Sequence, residues 1–159
     1  MHKMANEKNV ALTYQQFAAR GATPTAITGM IYDVAIDSLH RAIRAIDEGK
    51  IEDRVKATNK FFAAIAELRS ALDFERGGVV ARRLGRFYQI ARAEIFSAGI
   101  RIDRSIFESY ARMFGELREA WRQVEKDHAD APAAAETAPV RTVTAPPEEP
   151  EPARSRWSA

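Results

Sequence analysis

Apolar residues recur every three or four positions along most of the first 128 residues, and that spacing predicts amphipathic helices. Five segments show it. The first, around Asn9 to Arg20, is short and carries Tyr14 and Phe17 as its bulky residues; an isolated helix of that length is marginal in water, so it must dock or fray. The second opens at Thr23-Pro24, a hydroxyl cap followed by a proline in the first turn, and is expected to stop near Glu48 at Gly49. The third is expected from Ile51 to Phe74. The fourth runs from Gly78 to about Ala98, with Gly77-Gly78 as the hinge before it and Gly99 as its stop. Asp103 is placed to cap the fifth, which carries Ile106, Tyr110, Met113, Phe114, Leu117, Trp121 and Val124 at helical intervals. No stretch alternates with period two between hairpin turns. Four helices of about 20 residues joined by short loops predict an all-α protein: an antiparallel four-helix bundle, with the short first helix lying across it.

The apolar faces are wider than a bundle core requires. In the second segment, Ile27, Ile31, Val34 and Ala42 form one stripe, and Tyr32, Ile36, Leu39, Ile43 and Ile46 form another beside it. Together they cover roughly two-thirds of the helix circumference, against a usual stripe of somewhat over 100°. The third has Phe61, Ile65, Leu68 and Leu72 in line, with Val55 and Phe62 beside them; on the fourth, Ile90 and Phe96 point off the main stripe. Neighbouring helices could cover this surplus, or it could form grooves for apolar segments of another protein.

From about Ala129 the pattern fails. Pro, Ala, Glu and Thr dominate, and large apolar residues too few to offset the ordering entropy predict a disordered tail, with Trp157 as its single aromatic. Three parts are therefore expected: an N-terminal segment over 1–22, the bundle over 23–128 and the tail over 129–159. The formal net charge is +2 and the basic excess gathers at Arg82, Arg83, Arg86 and Arg92. With no aromatic residues interleaved to stack bases, that cluster reads as a solvated helix face rather than a nucleic-acid site. The absence of cysteine excludes disulfides and thiolate metal sites. No apolar run approaches the 18 or so residues of a membrane span and the N-terminus has no secretory core, so a cytoplasmic (cytosolic) protein without membrane insertion is expected.

Catalytic chemistry finds no footing. His2, His40 and His128 lie far apart, and none lies three or four residues from a second ligand in a pattern recognisable as a metal site. Asp33 and Asp37 sit one turn apart, but Arg41 follows four residues on, which makes a solvated charge column rather than an acid–base pair. Gly77-Gly78 lacks the Lys-Ser/Thr of a phosphate loop. No enzyme activity, catalytic residue, metal or cofactor is expected.

From Tyr14 to Trp121 an ordered series of short motifs resembles the flagellin-export chaperone family, FliS. The motifs are Tyr14-Gln15, Thr23-Pro24, Ile31-Tyr32-Asp33, Asp47-Glu48-Gly49, Leu68 and Leu72 before Gly77-Gly78, Phe87-Tyr88, and Leu117-Arg118-Glu119-Ala120-Trp121. The resemblance implies a helical bundle that binds the C-terminal segment of flagellin in the cytoplasm, prevents premature polymerisation and supports delivery to the flagellar type III export apparatus. It also implies that the region of Tyr14-Gln15 covers part of the groove. Two departures stand out: Ala98-Gly99 where the family commonly has Ala-Asn, and Phe87 where Leu is more usual. On this reading the candidate partner contacts are Tyr14, Ile27, Ile31, Phe61, Ile65, Ile90 and Phe96, with the export gate as a further partner. The alternative is a regulatory protein-binding bundle holding an anti-sigma factor or a co-chaperone.

Overall fold

The computed structural model describes residues 10–12, 15, 16 and 19–130, the side chains of 128–130 excepted. Four long helices carry this part of the chain: α1 (Pro24–Asp47), α2 (Ile51–Ser70), α3 (Phe74–Arg101) and α4 (Arg104–Asp130). Helical backbone also occurs at 10–12, 15, 16 and 19, and Val10 is buried. Tyr14, Phe17 and the Pro-rich tail lie outside the described residues. Among those described there is no strand, and no helix is long and apolar enough to cross a membrane.

The helix ends reflect local chemistry. The Thr23 hydroxyl accepts from the Ala26 N–H at 3.2 Å, with Pro24 in the first turn of α1. Gly49, at φ +67°, turns the chain into α2. Glu52 and Asp53 then lie in the first turn of α2, where the helix dipole favours negative charge.

Two expected boundaries moved. The reversal between α2 and α3 falls at Ala71–Asp73, ahead of the glycine pair, because the Asp73 carboxylate caps α3 by accepting from the N–H groups of Glu75 and Arg76 at 3.0 Å each. Gly78 instead breaks the helix inside α3, at φ 50° and ψ −125°, so the turn Phe74–Gly77 is set at an angle to the remainder of that helix. Gly99 stays helical. Helix α3 runs on to Arg101 and ends at Ile102 in the left-handed conformation, φ 56° and ψ 46°, with the Asp103 N–H returning to the Ala98 carbonyl at 2.9 Å. Asp103 then opens α4; the Ser105 hydroxyl and the backbone N–H groups of Ser105 and Ile106 hold its carboxyl below the usual carboxylate range.

Cross-helix pairs fix the antiparallel order. Arg118 on α4 grips Asp33 on α1 through two hydrogen bonds of 2.9 and 3.2 Å, and Arg104 grips Asp47 at 2.7 and 3.1 Å. Arg54 on α2 donates to the Gly99 carbonyl of α3, and seven residues away the Arg92 guanidinium lies 5.7 Å over the Phe62 ring. Arg118 passes across Gly29, where a Cβ would collide with its guanidinium, so no larger residue fits without moving it.

The core is aromatic at its centre. Phe114 of α4 has ring neighbours on each of the other helices: Tyr32 at 6.1 Å, Phe61 at 5.4 Å, Phe87 at 5.4 Å and Tyr88 at 6.3 Å. The Tyr32 and Tyr88 hydroxyls, both buried, hydrogen-bond to each other, so neither is orphaned. Burial pushes both phenols up, that of Tyr88 the further. Tyr110 is likewise pushed up, first by burial and then by its hydrogen bond to the Glu94 carboxylate.

This fold leads to definite expectations for stability. Ile102 is β-branched, exposed and left-handed, so Ile102→Gly is expected to stabilise by about 1 kcal/mol, read as a higher thermal midpoint; a lower midpoint would show that the side chain contributes more than the backbone costs. The raised tyrosine pKa values add stability that is complete below pH ~10, where an unfolded tyrosine keeps its proton, and is lost as pH rises beyond that. Thermal melts above pH 10 should therefore fall less steeply for the Tyr32→Phe/Tyr88→Phe double variant than for the parent chain. At pH 7, Tyr32→Phe alone should cost about 1–3 kcal/mol because it strands the Tyr88 hydroxyl, whereas the double variant should cost less.

Candidate functional site

Each helix turns one stripe to the common seam, and the stripe facing inward depends on its three neighbours. Ile27 and Ile31 on α1, and Phe61 and Ile65 on α2, expected as groove contacts, are buried in the core cluster with Leu39, Leu68, Tyr88, Ile95, Phe107 and Phe114. The other two described candidates stay outside: Ile90 is 44% exposed and Phe96 60%. They do not share a face. Six residues apart on α3, they point about 120° from one another and lie on opposite flanks of the helix. The seventh, Tyr14, lies outside the described residues.

The flank of α3 toward α4 forms an open groove of about 530 Å³, lined by Val80, Arg83, Leu84 and Phe87 from α3 and by Met113, Glu116 and Leu117 from α4. Its floor comes from spacing, since 80, 84 and 87 on one helix and 113 and 117 on the other keep to single lines. Val80, at 65% exposed, is the most exposed of its apolar residues. Beyond Phe87 the hydrogen bond from Tyr110 to Glu94 ties α3 to α4. In the other direction Val80 and Leu84 also line a smaller cavity of about 220 Å³ at the end of the bundle, with Thr28, Leu68, Leu72 and Trp121. The break at Gly78 shapes this end: it lets the Phe74 ring and Leu72 come to 3.4 Å of where a Gly85 side chain would start.

The opposite flank of α3 meets α2. Ile51, Val55 and Phe62 lie on one line of α2, and Phe96 and Ile100 on the near side of α3; all but Phe62 are exposed. The Arg54–Gly99 hydrogen bond and the Arg92–Phe62 contact set the register of the two lines.

The charged side chains that sequence spacing brought forward are structural. Asp33 is taken by Arg118, which also reaches Glu125 at 3.4 Å, and Asp37 by Arg41 at 2.7 Å. Asp33 and Asp37 thus serve different partners and do not act as a pair. Among the described residues no group of three or more histidine or carboxylate side chains is placed to hold a metal ion. What the surface presents is exposed apolar area on both flanks of α3. Val80, Leu84, Met113 and Leu117 were not singled out from sequence as contacts; the signal available was the matching four-residue spacing of Val80–Leu84 and Met113–Leu117 on consecutive helices.

Comparison with known proteins bears on this surface. Residues 6–128 match the family model described as flagellar protein FliS. The flagellar secretion chaperone FliS of Salmonella typhimurium is 26% identical over 125 residues, covering 78% of this chain and 93% of the relative. That of Vibrio cholerae is 27% identical over 107 residues, 67% of this chain and 79% of the relative. That of Campylobacter jejuni is 29% identical over 114 residues, 72% of this chain and 89% of the relative.

Core and groove residues should separate by stability. Phe61→Ala is expected to cost about 3–5 kcal/mol in denaturant unfolding. Val80→Asp should stay within about 0.5 kcal/mol of the parent while lowering the fluorescence of a bound apolar dye such as ANS. Equal destabilisation by both would show that Val80 belongs to the core.

Proposed function

The chain belongs to the FliS family of flagellar secretion chaperones, and we propose that it captures the C-terminal segment of flagellin in the cytosol, keeps it from polymerising early and supports its delivery to the flagellar type III export apparatus. The observation that carries this reading is the apolar surface on both flanks of α3, where Val80 and Phe96 are more than half exposed although the bundle beneath already has a filled core. A single globular chain rarely leaves such bands uncovered unless a partner covers them.

The mechanism is coupled folding and binding without covalent chemistry. A cargo segment that becomes helical along a groove of α3 buries its own apolar stripe against Val80, Leu84, Phe87, Met113 and Leu117, or against Val55, Phe96 and Ile100. Each side chain brought from water to full burial contributes about 1.5–3 kcal/mol, set against an ordering cost of about 2–5 kcal/mol for the segment. Ile90 and Phe96 are the expected candidates that reach cargo directly, whereas Ile27, Ile31, Phe61 and Ile65 hold the floor on which the grooves rest. The N-terminal segment around Tyr14-Gln15 acts as a cover that yields to cargo.

Because the two flanks of α3 are separate, a second reading also has support: one flank holds flagellin while the other serves an anti-sigma factor, a co-chaperone or the export gate. Binding by calorimetry distinguishes the arrangements. Full-length flagellin should bind and flagellin lacking its C-terminal segment should not; equal binding by the two would overturn the proposal. A second partner that remains bound when the flagellin segment saturates the chain would establish the two-sided arrangement.

A further inference from the structure

The groove between α3 and α4 has walls of opposite charge. Arg83 lines the α3 side, with Arg82 and Arg86 exposed on the same helix. Glu116 lines the α4 side and is also exposed. Among the described residues, neither Arg83 nor Glu116 is engaged in an ion pair, in contrast to Asp33, Asp47, Arg104 and Arg118 on the α1–α4 side. Between the walls the floor is uniformly apolar: Val80, Leu84, Phe87, Met113 and Leu117.

Resting on the reading of this groove as a cargo site, we infer that it accepts an amphipathic helix whose apolar stripe is bordered by acid on one edge and base on the other, and that the opposed walls set the direction in which that helix lies. The apolar floor has no polarity along its length and holds a helix running either way. The walls break that symmetry. With its stripe facing down, a helix that carries Glu on one edge and Lys on the other places Glu against Arg83 in only one of its two directions; in the other, Glu meets Glu116 and Lys meets Arg83. Exposed ion pairs contribute little each, but two attractive edges against two repulsive ones favour one direction by about fivefold to tenfold at low salt. Direction matters to a chaperone because it decides at which end of the bundle the rest of the cargo chain emerges.

The test uses the full chain and two synthetic helical peptides with the same Leu stripe, differing only in that Glu and Lys are exchanged between the edges. Each carries a nitroxide at its N-terminus, and NMR methyl signals of Leu72, at the cavity end, and Ile90, beyond Phe87, report which end the label occupies. The expected result is that one peptide broadens Leu72 and the other Ile90, and that R83E/E116K exchanges the two patterns. Both substituted residues are on the surface and outside the ion pairs of the fold, so the variant should keep its thermal midpoint. Raising salt should erode the preference while the apolar contact keeps the peptides bound. One direction for both peptides, equal broadening at both ends, an unchanged pattern in R83E/E116K, or no binding by either peptide would each overturn the inference. Those outcomes are separate from flagellin capture, which is decided by truncated against full-length flagellin.

Discussion

Phe114 is the point on which the four helices agree. Its ring meets Tyr32 from α1, Phe61 from α2 and Phe87 and Tyr88 from α3, all within 6.3 Å, so the relative rotation of every helix is tied to one side chain. Offset and tilted aromatic contacts hold geometry better than aliphatic ones because each ring presents a distinct face and edge. The Tyr32–Tyr88 hydroxyl pair sharpens this further, since two buried phenols must find each other or lie unpaired. Once this centre is set, the stripes that face it are used up, and the remaining apolar surface of each helix has nowhere to go but outward.

That dependence explains how the sequence could be read and where the reading stopped. Helix number, class and the Thr23-Pro24 start were legible because they depend on neighbours in sequence: a cap, a proline, a period of 3.6. The α2–α3 reversal was misplaced because two signals competed within six residues. The Asp73 carboxylate, accepting two backbone N–H groups, ended the turn before Gly77-Gly78 was reached, and the flexible glycine became an internal break instead. Gly99 was read as a stop on its general tendency, yet the helix continued and placed the left-handed residue at Ile102, a residue type that disfavours it.

The grooves were less legible for a different reason. A stripe on one helix says how much surface is apolar but not which side meets the seam. Ile27, Ile31, Phe61 and Ile65 were as plausible on the outside as Val55 or Val80 until the rotation of all four helices was known. That Ile90 and Phe96 sit off the main line of α3 was visible from spacing, but their placement on opposite flanks emerges only when α2 and α4 are in position. Met113 and Leu117 belong to the same helix as the core residues Phe114 and Tyr110 and look like core continuation. They line a groove because α3, bearing Val80 and Leu84 opposite them, leaves them partly open.

The break at Gly78 then links the fold to the groove. A straight α3 would carry Phe74 and Leu72 along the helix axis, away from the end of the bundle. With the break, the Asp73-capped turn folds back and both side chains come to rest against Gly85, close enough that even a methyl there would be in contact. The α3 residues just past the break, Val80 and Leu84, are left shared between the end cavity and the α3–α4 groove. Trp121 and Leu68 line the cavity and Phe87 lines the groove. Arg83 and Glu116 flank the same apolar residues, so nonpolar and charged surface are presented together along the groove. Hydrophobic contact lacks direction and tolerates many poses, so charged side chains beside it are the ones able to select among them.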